Sequence, residues 1–210
     1  MRVDPYPILF LDVETSGLSP KRHEILEVGA IRFDGPGCET SLSARVRPEH
    51  IETASARALE VCGYSPAKWA EAVPLSVALR ALRRLIKGHD PYDDGAEDSC
   101  DTIGGHNVSF DLRFLRAADP RWVDPATVDT MAIAKRLKAE GELEGASLDD
   151  LCRHLRIPRP RPHRALDDAR AAALAWFKLE GPKVSRVTGW KAPEEEPFDW
   201  DDLLEEGNDA

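Results

Sequence analysis

The sequence predicts a mixed α/β fold: a mixed β-sheet with helices on its faces. Three observations lead there. Apolar, β-branched segments near the N-terminus are separated by turn signals and read as consecutive strands. Segments with helical spacing then alternate with a short strand-like stretch. The chain has 210 residues, 42% of them hydrophobic and 31% charged, which suits one domain with a core.

The elements follow in order. "ILFLDV" (8–13) is apolar almost throughout and reads as a central strand. "EILEVGAIRF" (24–33) is a second strand, "DGPG" (34–37) a turn, and "SLSARVRP" (41–48) a third strand, giving an antiparallel meander. Leu75, Leu79, Leu82 and Ile86 form one apolar stripe at helical spacing. "HDPYDDGAEDSCD" (89–101) reads as an acidic loop. A short strand near Thr102–Gly105 leads into "HNVSFDLRFLRAA", whose second half has helical spacing. Val128 to Leu137 reads as helical. Ser147 opens another helix as N-cap, with Asp150 three residues on. The last helix runs from about Ala165 to Glu180 and stops at Gly181-Pro182. Residues 1–182 are read as one domain, and 183–210 as an acidic tail that reads as disordered.

Charge is unevenly spread. The net charge is −10, yet residues 191–210 carry nine acids against one Lys, and 89–101 carry six acids with no Lys or Arg. The remainder has 27 basic and 23 acidic residues, with a dense basic run at "RHLRIPRPRPHR" (153–164). An acidic whole therefore does not exclude a polyanion partner. Phe198, Trp200, Leu203 and Leu204 in the tail could fold onto a partner protein, or onto the basic body near Arg159 and Arg161. Cys38, Cys62, Cys100 and Cys152 form no CxxC pair, which argues against a structural zinc site and for reduced thiols. No leader pattern or membrane-length apolar run is evident, so a soluble, cytoplasmic protein is expected.

Asp12 and Glu14 stand two apart on the first strand, so they project to one face with Cα atoms roughly 6.6 Å apart. Two adjacent carboxylates repel and lose hydration, which a hard divalent cation between them would relieve. "HNVSFD" places Asp111 where a strand ends and a helix begins, and "HRALDD" places His163 five residues before Asp168 at a helix entry. Alone, each pattern reads first as a strand end facing solvent or a helix cap. Together and in this order they are specific.

The three motifs "DVETSGL" (12–18), "HNVSFD" (106–111) and "HRALDD" (163–168) resemble those of the DEDDh 3′–5′ exonucleases, over about residues 7 to 180. The resemblance implies a ribonuclease H-like fold, a five-stranded mixed sheet with helices on both faces. It implies that Asp12, Glu14, Asp111 and Asp168 bind two Mg²⁺ or Mn²⁺ ions, with Asp12 bridging them. It implies that His163 is the general base. Thr15, Ser16, Gly17 and Leu18 would border the terminal nucleotide, Leu18 as a wedge against the last base, and Gly17 would let the backbone approach the substrate. His106, Asn107 and Phe110 would shape the same pocket, and Asp129 is taken as structural. The implied reaction releases nucleoside 5′-monophosphates from a 3′ end, with single-stranded DNA the first choice of substrate. RNA trimming is the alternative within the class, and a nuclease-like interaction module in a replication complex the alternative outside it. The 89–101 insertion and the acidic tail depart from the family pattern.

Overall fold

The computed structural model describes residues 6–35, 38–88, 100, 102–123, 125–159 and 161–181. The acidic loop (89–101, except Cys100) and the tail lie outside them, as do the docking modes expected of the tail. The meander expected at the N-terminus is present. β1 (Ile8–Thr15), β2 (Ile25–Gly35) and β3 (Cys38–Arg45) pair antiparallel, with Asp12 opposite Gly29 and Glu14 opposite Glu27. β4 (Thr102–Gly105) pairs parallel with β1, and β5 (Ala126–Asp129) parallel with β4. The sheet is five-stranded and mixed, in the order β3-β2-β1-β4-β5.

β1 is central because both its rows are buried. Leu9, Leu11 and Val13 pack on one face with α2 (Leu75–Lys87) and α3 (Val108–Ala118). Ile8 and Phe10 pack on the other with α4 (Thr130–Ala139), α5 (Leu148–Leu155) and α6 (Ala165–Leu179). Each such buried side chain contributes about 1.5–3 kcal/mol, so the strand has little freedom to shift. α2 follows the predicted Leu/Ile stripe, and α5 starts at the predicted capping box between Ser147 and Asp150. No helix among the described residues is long and apolar enough to cross a membrane.

Two elements differ from the sequence reading. The stretch from Val128 is not helical from its start: Ala126–Asp129 form β5, and α4 begins only at Thr130. β5 is a four-residue edge strand with no buried residue, so it lacks the apolar signature of a strand and exists through its pairing with β4. A seven-residue helix, α1 (Ala56–Cys62), also went unpredicted. Its signal was local: Ser55 before it and Gly63 after it, the latter at φ 65°.

Gly29 decides how α6 meets the sheet. A Cβ there would sit 2.0 Å from the Leu166 backbone nitrogen and 2.1 Å from the Ala165 carbonyl carbon. The start of α6 therefore lies directly on β2, beside Asp12. Backbone cannot yield as a flexible side chain does. Gly29→Ala is expected to cost about 3 kcal/mol or more, read as a lowered midpoint in urea unfolding, and to impair activity in whatever protein remains folded.

Candidate active site

The row that is apolar at Ile8 and Phe10 turns acidic at Asp12 and Glu14. Both acids are partly exposed, unlike most of β1. Asp111 and Asp168 are buried and come from helix starts, Asp111 from the first turn of α3 and Asp168 from that of α6. A helix N-terminus favours negative charge, which offsets part of the cost of placing them there. Asn107 turns the chain from β4 into α3 through a left-handed conformation, φ 67°, that Asn tolerates better than most residues. β4 ends too early to pair with the end of β1, and Asp111 Oδ1 fills the gap by accepting the Val13 N–H at 2.9 Å.

The carboxylates interact strongly. Lost hydration pushes Asp12 well above the ordinary carboxylate range, and repulsion from Asp111, Asp168 and Glu14 pushes it further. Glu14 rises to about 7, through burial first and then through Asp168 and Glu27. Asp111 rises to about 8, chiefly through burial, although the Val13 N–H opposes the shift. Such a group holds a proton at neutral pH unless a cation replaces it. Glu14, His163 and Asp168 each offer a ligand atom within 4.8 Å of the others. Crowded carboxylate oxygens with one imidazole fit a hard divalent cation, so the residues present suit the metal the motifs imply.

His163 lies in the exposed loop before α6, at φ 63°. Its backbone N–H donates to Asp168 Oδ2 at 3.1 Å, which ties the loop to the site. The basic run around it is largely neutralised within the chain. Arg153 pairs with Asp150, Arg159 with Asp168 and Asp149, Arg161 with Asp167, and Arg164 with the buried Glu27. A run that looks like a polyanion contact in one dimension is thus mainly a set of internal ion pairs. Arg159 and Glu27 are site neighbours that the sequence reading missed. Gly29 is another; a glycine inside a strand pattern was its available signal.

The loop after β1 is held from below. Ser16 is fully buried, with its Oγ accepting the Glu24 N–H at 2.8 Å, so it shapes the loop instead of facing outward. Thr15 Oγ1 donates to Gly17 O at 2.7 Å. Glycine at 17 also meets a local constraint: a Cβ would lie 2.5 Å from Cδ2 of the His23 ring. Leu18 is 80% exposed, one of two large apolar residues so exposed among those described. His106 is occupied by the fold, with Nδ1 3.1 Å from Thr130 Oγ1 and Nε2 3.1 Å from Ala146 O; burial lowers its pKa. Phe110 packs against Phe114 with ring centroids 5.0 Å apart and the planes tilted by 46°, and it carries Arg113 over its ring. Asp129 Oδ1 accepts the N–H groups of Asn107 and Met131, so it binds the second motif to the start of α4.

A family model described as exonuclease (RNase T) matches residues 9–175. DNA polymerase III PolC-type from Thermotoga maritima is 32% identical over 175 residues, which cover 80% of this chain and 11% of that protein. The Bacillus subtilis protein of the same name is 26% identical over 173 residues, again 80% of this chain and 11% of its own length. The chain thus spans about a tenth of these relatives. The crystal structure of E. coli exonuclease I in complex with a dT13 oligonucleotide aligns with a TM-score of 0.64 at 21% identity, covering 84% of this chain and 42% of that one.

The raised acids make a pH prediction. A carboxyl group whose folded pKa exceeds its unfolded value binds more protons in the folded state, so stability falls as pH rises between the two values. For Asp111 that window runs from its ordinary value near 4 up to about 8. In chelator at pH 8, Asp111→Asn is expected to be more stable than the parent protein by about 1 kcal/mol or more, because Asn carries no charge and its Oδ1 can still accept the Val13 N–H. The difference should vanish near pH 4. Thermal melts at the two pH values check this.

Proposed function

The chain belongs to the DEDDh-type 3′–5′ exonuclease family, and we propose that it hydrolyses the terminal phosphodiester at nucleic-acid 3′ ends, with DNA the preferred polymer. The catalytic domain would span residues 1–182. The observation that carries the reading is the convergence of Asp12, Glu14, Asp111 and Asp168 beside an exposed His163. The PolC-type relatives are DNA polymerases by name, and the exonuclease I neighbour holds a DNA oligonucleotide. Both favour DNA.

Asp12, Glu14, Asp111 and Asp168 would hold two Mg²⁺ or Mn²⁺ ions, with Asp12 shared. Such a pair, when bound, stabilises the attacking and leaving oxygens of an in-line displacement at phosphorus. The chain's own residues do the rest. His163, exposed beside the acids, takes a proton from the attacking water as general base. Its exposed loop gives that proton a path to solvent. Leu18 offers apolar surface to the last base, and Phe110, packed against Phe114, helps shape the same pocket. β1 holds the acids still, which matters because small displacements at a reacting centre are costly.

Matched 3′- and 5′-labelled oligonucleotides of DNA and RNA test the assignment. Stepwise loss from the 3′ end, faster on DNA and abolished by chelator, is the expected result. Degradation from the 5′ end would overturn the polarity, and faster loss of RNA would overturn the polymer.

Two substitutions separate the roles. Asp12→Ala should lower the rate by orders of magnitude while the circular dichroism spectrum is kept. His163→Ala should lose about 10²–10⁴-fold in turnover, and the shape of the pH–rate profile should change. A pH–rate profile that superimposes on the parent's would assign the base elsewhere.

A further inference from the structure

Asp168 has little coordination capacity left. Arg159 Nε donates to Oδ1 at 2.7 Å and Nη2 to Oδ2 at 2.6 Å, a bidentate pair. The His163 N–H also donates to Oδ2. A carboxylate offers about two lone-pair sites per oxygen. Oδ2 is therefore filled, and Oδ1 has a single site open. The guanidinium is not a surface group that happens to lie nearby: its side chain is 8% exposed. Its third nitrogen, Nη1, donates to Asp149, whose side chain is 55% exposed. Arg159 thus stands between an inner acid of the cluster and an outer one. It is followed closely by the left-handed turn at His163, in the segment joining α5 to α6.

A guanidinium and a divalent ion on the same carboxylate repel each other at short range. Without either, Asp12, Glu14 and Asp168 face one another unscreened. Arg159 counteracts this, since its charge lowers the pKa of both Asp12 and Glu14.

We propose that Arg159 is the resident cation of the metal-free site and gives up Asp168 when metal binds, keeping the outer pair with Asp149. The proposal rests on the reading of Asp168 as a metal ligand. Arg159 then sets the threshold for metal uptake: a divalent ion must outcompete a buried bidentate ion pair to complete its coordination. The opposite role is a fixed brace that positions Asp168 for the metal, and it predicts the opposite sign when Arg159 is removed.

Mn²⁺ titration of the 210-residue chain without nucleic acid, by calorimetry and by the paramagnetic resonance of free Mn²⁺, distinguishes the two. Arg159→Gln should bind Mn²⁺ roughly tenfold more tightly than the parent protein. It should also melt at a lower temperature in chelator and gain more from added Mn²⁺. Asp149→Asn removes the outer perch without touching the cluster and should weaken Mn²⁺ binding several-fold. It also keeps the test open if Arg159→Gln does not fold. Equal or weaker binding by Arg159→Gln, or unchanged or tighter binding by Asp149→Asn, would overturn the exchange while leaving the catalytic reading intact. If the parent protein takes up no Mn²⁺, the metal-ligand reading of Asp168 falls, and the exchange with it.

Discussion

Asp12, Glu14, Asp111 and Asp168 meet at the end of β1 with much of their hydration stripped away, and they repel one another there. Left alone, such a cluster would spread apart or hold protons. The surrounding structure prevents the first. Asp12 and Glu14 ride on a strand whose other residues are buried on both faces. Asp111 is fixed by the Val13 N–H, and Asp168 by Arg159 and the His163 N–H. Of these tethers Arg159 is the one that carries positive charge, and it meets only part of the electrostatic demand for a cation.

The same demand explains the arginines between α5 and α6. Arg159, Arg161 and Arg164 each answer an acid that the packing of α6 has buried: Asp168, Asp167 and Glu27. A buried charge without a partner is strongly destabilising. These pairs hold the His163 loop against the sheet and use much of the loop's positive charge internally.

Glycine at 29 belongs to the same design. Asp168 can approach Asp12 only if the start of α6 rests on β2, and that contact leaves no room for a side chain. The interior of a strand is a poor place for glycine on energetic grounds. Its presence opposite Asp12 is explained by the need to bring two acids from distant parts of the chain together.

The amino-acid sequence by itself determined what depends on local order. The apolar runs specify β1 and β2, the stripe from Leu75 to Ile86 specifies α2, and the Ser147–Asp150 box specifies the start of α5. The spacing of Asp12, Glu14, Asp111, His163 and Asp168 identifies the family, because these acids stand at strand ends and helix starts that are themselves legible. Tertiary structure alone decided the remainder. β5 carries no buried residue and is a strand through its hydrogen bonds to β4. Ser16 and His106 stand inside the motifs, yet their polar atoms are occupied by Glu24, Thr130 and Ala146. The run 153–164 looks like a binding surface until Arg153, Arg159, Arg161 and Arg164 find partners in α5, α6 and β2. In each case the deciding contact is made by the folded chain, and charge and hydrogen-bonding capacity are settled by distance in space, which residue order along the chain does not record.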